Sequence, residues 1–118
     1  MESVHTTESI LTSTKKLLGI AEEYEHFDPD IIMHINGVFL TLNQMGVGPN
    51  TPFVISDSSA VWTDFTPDID KIAMVKSYMG NKVKMMFDPP TGGAVMEALK
   101  NTIAEQEWRL NVAVDPGN

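Results

Sequence analysis

The sequence predicts a mainly α protein, a compact four-helix bundle with a long loop or small β-hairpin between helices 2 and 3. Three observations lead there. Four segments repeat apolar residues every three or four positions, the spacing that gathers them on one helix face. Proline and glycine clusters separate those segments. Between the second and third segments the helical period is lost, and short apolar runs flank turn-forming residues. A chain of 118 residues suits one domain, spanning 1–118.

The first helix is expected over 7–18, after a loose arm at 1–6. Thr7 or Ser9 can accept from its free N–H groups, and Gly19 can end it. Ile10, Leu11, Thr14, Leu17 and Leu18 mark its inward face, while Glu8 and Lys15-Lys16 oppose the two ends of the helix dipole. Residues 21–27 then read as an acidic link in which Glu22, Glu23 and Glu25 form a solvated face. The second helix is expected over 29–45, capped by Asp28 with Pro29 at its first position. Ile31, Ile32, Ile35, Val38, Phe39, Leu42 and Met45 form its stripe. Gly37 on this helix costs about 1 kcal/mol relative to alanine, which a close helix crossing would repay. Gly46-Val47-Gly48-Pro49 stops it.

The third helix, 67–87, is the element the others are arranged around. Thr66 is the expected cap and Pro67 the first residue, and Asp68 and Asp70 complement the dipole. Ile69, Ile72, Val75, Met79, Val83 and Met86 form its stripe, and Pro89-Pro90 ends it. It carries Lys71, Lys76, Lys82 and Lys84, half of the 8 basic residues. Those lysines are open to solvent, to acidic groups of a neighbouring subunit, or to DNA. The last helix is expected over 93–112, with Val95, Met96, Leu99, Ile103, Gln106 and Leu110 on its stripe and a tail at 113–118. Glu105 and Arg109 are spaced to pair, and Trp108 lies off the stripe.

Over 50–65, Phe53-Val54-Ile55 and Ala60-Val61-Trp62 flank Ser56-Asp57-Ser58-Ser59. A two-stranded ribbon of this size is marginal alone and needs support from the helices or from another subunit. Phe53, Ile55, Trp62 and Phe65 are the candidate assembly-interface residues. Trp62 and Phe65 either line the chain's own core or face a neighbour.

The absence of cysteine rules out disulfides, thiolate metal sites and a cysteine nucleophile. A net charge of -8 opposes a high-affinity grip on nucleic-acid phosphates. The N-terminus shows neither the basic region nor the apolar run of a signal peptide, and no run is long enough to span a membrane, so the cytoplasm, or an assembly that forms there, is the expected site. His26, Asp28 and Asp30 could in principle bind a metal, but helix capping accounts for them better, and no further ligands are spaced to complete a site. His34 reads as a packing or surface histidine, and Asp57-Ser58-Ser59 as a turn rather than part of a triad. No phosphate cradle or dinucleotide fingerprint is present. The expectation is therefore no catalytic, metal or cofactor site and no cofactor.

Several phrases, taken together in order, resemble the small head–tail connector, or head-completion, proteins of tailed bacteriophages. They are Ile10-Leu11-Thr12-Ser13-Thr14-Lys15-Lys16-Leu17-Leu18-Gly19-Ile20, Phe27-Asp28-Pro29-Asp30-Ile31-Ile32-Met33-His34-Ile35-Asn36 and Leu42-Asn43-Gln44-Met45-Gly46-Val47-Gly48-Pro49. Trp62-Thr63-Asp64-Phe65, Phe87-Asp88-Pro89-Pro90-Thr91 and Glu107-Trp108-Arg109-Leu110-Asn111 continue the match. The resemblance implies a ring of about a dozen self-associated subunits, closed by rotational symmetry. That ring would dock beneath the phage portal protein at the virion head–tail junction. It would extend the channel through which packaged DNA passes without sequence-specific binding, and support a downstream connector, stopper or tail protein. By the same resemblance, Trp108 and Arg109 are candidate portal contacts. The reading from another class is a small helical DNA-binding or regulatory protein, which the acidity and the lack of a basic recognition helix oppose.

Overall fold

The computed structural model describes residues 8–114. They form five helices: α1 (Ile10–Leu17), α2 (Asp28–Gln44), α3 (Trp62–Phe65), α4 (Ile69–Phe87) and α5 (Gly93–Val114). The long helix α4 is the hub and packs against α1, α2 and α5. Its buried line of Ile72, Val75, Met79 and Val83 meets Ile31, Ile35, Val38, Phe39 and Leu42 of α2 in a single core. From α5 that core receives only Ile103 and Leu110 as fully buried side chains. The expected arm at 1–6 and the last part of the tail lie outside the described residues, whereas Ala113 and Val114 continue α5.

Local chemistry sets the helix ends. Ser9 Oγ accepts from Thr12 N–H at 3.1 Å and caps α1, and Gly19 leaves that helix with φ of 80°. At α4 the cap is Asp68, whose Oδ1 accepts from Lys71 N–H at 3.2 Å. The expected start at Thr66 and Pro67 is therefore too early. Thr66 Oγ1 instead accepts from Asp68 N–H at 3.3 Å, ahead of the helix. At α2, Phe27 occupies the cap position and Asp28 is already helical, so Asp28 does not cap. Gly37 meets nothing within 4 Å at its Cβ position, so no helix crosses it within the chain.

The expected four-helix bundle with a possible β-hairpin is corrected: there are five helices, and no β-strand among the described residues. Phe53-Val54-Ile55 and Ala60-Val61-Trp62 do not pair because their backbone groups have other partners. Asn36, on α2, takes both groups of Ile55: Ile55 N–H donates to Asn36 Oδ1 at 2.8 Å, and Asn36 Nδ2 donates to Ile55 O at 3.0 Å. Ala60 O accepts from Ile10 N–H at 2.9 Å, and Val61 makes one isolated antiparallel bridge with Ser9. Val61 N–H donates to Asp64 Oδ2 at 2.9 Å, which starts the single turn of α3. With these donors and acceptors used, a ribbon would have to break bonds to form.

The turn after α2 depends on Gly48, whose φ is 95° and whose Cβ, if present, would lie 2.5 Å from the Phe65 ring. Both the backbone and the packed ring oppose a side chain there. Gly48→Ala is expected to lower stability by about 2 kcal/mol, read as a fall in the urea midpoint with an unchanged slope.

Candidate docking surfaces

The four residues singled out over 50–65 converge on α2. Phe39 lies at ring-centroid distances of 5.1 Å from Phe53, 6.3 Å from Trp62 and 5.0 Å from Phe65. Ile55, Trp62 and Phe65 are buried in the chain's own core and Phe53 is half-buried against it. Trp62 is held further by donation from Nε1 to Ser13 Oγ at 2.9 Å. What this segment presents outward is the exposed Val54 and the turn at Asp57–Ser59. In that turn Asp57 Oδ1 accepts from both Ser59 N–H at 2.8 Å and Ser59 Oγ at 2.5 Å. Those bonds hold the Asp57 carboxyl below its ordinary range, so Asp57 serves its own turn.

A second surface runs along α4. Leu17 and Ile69, both expected to point inward, are 55% and 66% exposed and form the walls of an apolar groove of about 530 Å³. Ala73 and Gly80 contribute to its floor. Gly80 is what lets α1 come close, since a Cβ there would stand 2.6 Å from Leu17 Cδ1. The charged residues lining the groove are Lys76 and Lys84, with no carboxylate among them. The register that builds this face is visible in the sequence: Ile69, Ala73, Lys76, Gly80 and Lys84 follow one another at three or four positions. The apolar period alone places Ile69 in the core, whereas it is exposed.

The third surface is the outside of α5. Its inner side joins α4 largely through polar contacts. Tyr78 Oη donates to Glu107 Oε2 at 2.8 Å, Asn81 Nδ2 donates to Gln106 Oε1 at 3.1 Å, and Gln106 Nε2 donates to Ser77 Oγ at 3.0 Å. Burial, and secondarily the Glu107 carboxylate, push the Tyr78 phenol well above its ordinary pKa, so it acts as a neutral donor. Away from this seam, Glu97, Asn101, Glu105, Trp108 and Val112 form one solvent-facing stripe. Trp108 is 65% exposed, and Arg109 beside it donates from Nη2 to Glu105 Oε2 at 2.6 Å.

Three of the four α4 lysines have carboxylate partners within the chain. Lys76 Nζ lies 2.7 Å from Glu8, Lys82 Nζ 3.5 Å from Glu107 and Lys84 Nζ 3.7 Å from Asp88. Burial raises the Glu8 carboxyl, but Lys76 and Lys16 outweigh it and hold the group below its ordinary value of 4.5. A lowered folded-state pKa stabilises the fold above the unfolded value, and the gain is lost as pH falls through the folded value. Glu8→Gln is therefore expected to cost up to about 1 kcal/mol at neutral pH, and the cost is expected to shrink as pH falls below 4.5 and through the folded value, measured as urea midpoints across the acid range.

Among the described residues no group of three or more His, Asp or Glu is placed to hold a metal ion, and no helix is long and apolar enough to cross a membrane. His26 packs edge-on against Phe27 at 4.9 Å, and the His34 ring lies 6.3 Å from Phe87. Asp28, considered above as a ligand or cap, instead pairs with Lys15 at 2.9 Å. The described residues thus expose a lysine-edged groove, an aromatic and acidic helix stripe, and a loop braced from beneath.

No curated protein and no solved structure shows significant similarity to this sequence. Residues 10–117 match the family described as phage connector protein. That match runs from the first residue of α1 through all five helices, and on that extent the chain belongs to the phage connector protein family.

Proposed function

We propose that this protein is a structural subunit of the phage head–tail connector. It closes with further copies into a ring beneath the portal, extends the DNA channel, and supports attachment of the next connector, stopper or tail protein. The family match over residues 10–117 carries this reading. It implies a virion structural protein, assembled in the host cell and acting by contact with other virion proteins rather than by turnover. The exposed surfaces fit such work. A subunit that meets different neighbours needs more than one contact face, and ring closure multiplies a weak subunit contact into firm attachment.

The net charge of -8 accords with a channel wall that DNA slides past, since like charge avoids adhesion. Three of the four α4 lysines pair with carboxylates of the chain itself, which reduces the charge a phosphate strip would need without removing it. In the 50–65 segment, contact with a neighbour would run through Val54 and the 57–59 turn, with Phe53, Ile55, Trp62 and Phe65 setting their position from beneath. Trp108 and Arg109 stand exposed for a neighbouring virion protein, the portal among them. Cosedimentation with purified portal rings tests the proposal: the chain pellets with the rings in a fixed stoichiometry, and failure to do so with both proteins folded counts against it.

A further inference from the structure

The groove on α4 and the outer stripe of α5 have complementary chemistry. The groove has an apolar floor, and the charged residues lining it are both cationic, Lys76 and Lys84, within a chain of net charge -8. Glu8, 2.7 Å from Lys76, and Asp88, 3.7 Å from Lys84, offset part of this charge. The α5 stripe offers the reverse: Trp108 and Val112 are apolar anchors, Glu97 and Glu105 lie on the same face, and Arg109 at its margin offsets the Glu105 charge. Their lengths agree as well. Ile69 to Lys84 and Glu97 to Val112 each extend about 22 Å along a helix. Tyr24, flanked by Glu22, Glu23 and Glu25, is the competing anchor, but its ring already packs on Phe27 at 5.8 Å and its carbonyl is held by Lys15 at 2.7 Å.

We infer that the α4 groove of one copy receives the outer stripe of α5 from a second copy, with Trp108 as the inserted side chain. This rests on the connector reading and specifies the subunit contact within it. Within one chain the stripe cannot reach the groove, because α5 lies on α4 with Ile103 and Leu110 inward and the stripe on its far side. The two patches sit on different faces of the molecule. A contact between two different patches is head-to-tail, the kind that builds a ring where the rotation between copies closes. An aromatic side chain desolvated in a pocket beneath a charged rim is also the usual form of an energetic hot spot.

The absence of cysteine makes a clean test available. Full-length Ala73→Cys, in the groove, is mixed with Asn101→Cys on the stripe, and Ile69→Cys with Val112→Cys, and each pair is oxidised with and without purified portal rings. The first pair faces across the contact if α5 lies parallel to α4, the second if it lies antiparallel. The expected result is a mixed disulfide between copies, whose yield falls about tenfold when the stripe-bearing chain also carries Trp108→Ala. Attachment to portal rings without a mixed disulfide overturns the inference and leaves the connector reading standing. A mixed disulfide indifferent to Trp108→Ala overturns it too, as does loss of portal attachment, but not of self-association, in that variant. Failure of the unsubstituted chain to attach to portal rings is the separate result that counts against the connector reading itself.

Discussion

Lys15→Met is expected to destabilise the protein by about 3–5 kcal/mol, the range for breaking a buried charge pair by removing one partner. The Lys15 side chain is 2% exposed, and its Nζ reaches Glu22 O at 2.9 Å, Tyr24 O at 2.7 Å and Asp28 Oδ1 at 2.9 Å. One ammonium thus ties the end of α1, the 21–27 link and the start of α2 together. Methionine preserves the stem but leaves two carbonyls and a carboxylate without their donor. Asp28 keeps 21% exposure, and the carbonyls belong to exposed residues, so the cost should lie toward the lower end of the range. Urea unfolding of Lys15→Met, Asp28→Asn and the double variant checks this. The double variant is expected to lose less than the sum of the singles because the two share one interaction. A loss below about 1 kcal/mol for Lys15→Met would place the ammonium among ordinary surface charges.

Trp62→Ala carries the other large effect, about 3–5 kcal/mol for removing a buried large aromatic. Trp62 is 0% exposed, packs near Phe39, and bonds Ser13 Oγ. Ser13 in turn donates to Ile10 O at 3.1 Å, so the indole is fastened to α1 across the bundle. Trp62→Phe keeps most of the ring and loses chiefly that hydrogen bond, with an expected cost of about 1 kcal/mol beyond its smaller packing loss. The exposed Trp108 supplies a convenient control. In a Trp108→Ala background, the remaining indole should emit as a buried one and shift to the red only at global unfolding, whereas Trp62→Ala should leave a solvent-like emission in the native state.

The helical framework was legible because its signals are local. Periodic apolar residues placed α1, α2, α4 and α5, with proline and glycine marking their limits to within a few residues. What escaped was nonlocal. Asn36 is an unremarkable polar residue on a helix until Ile55 arrives nineteen positions later and takes both ends of its amide. That contact, with Asp64 beneath Val61, turned a hairpin-like pattern into a braced loop and a short helix. Lys15 escaped for the opposite reason. Its place near a helix C-terminus already had an adequate explanation in the dipole, which concealed its burial among the carbonyls of the link.

The surfaces show the same division. Trp108 lies off the α5 stripe in the sequence and is exposed, and Arg109, spaced to pair with Glu105, makes that bond at the surface. The groove was hidden because Leu17 and Ile69 are apolar, and the simplest assignment for an apolar residue on a periodic helix is the core. Their exposure follows from helix α4 packing chiefly against α1, α2 and α5, which leave one side open beside α1. Gly80 and Ala73 on that open side were the available clue, small residues in register with Ile69 and two lysines.

Direct imaging of the full-length protein mixed with purified portal rings tests the central claim, that this is a connector subunit. The account predicts axial density capping one end of the portal and continuous around its channel, built from copies of the five-helix fold. Bare portal rings, under conditions in which both proteins remain folded, would contradict it.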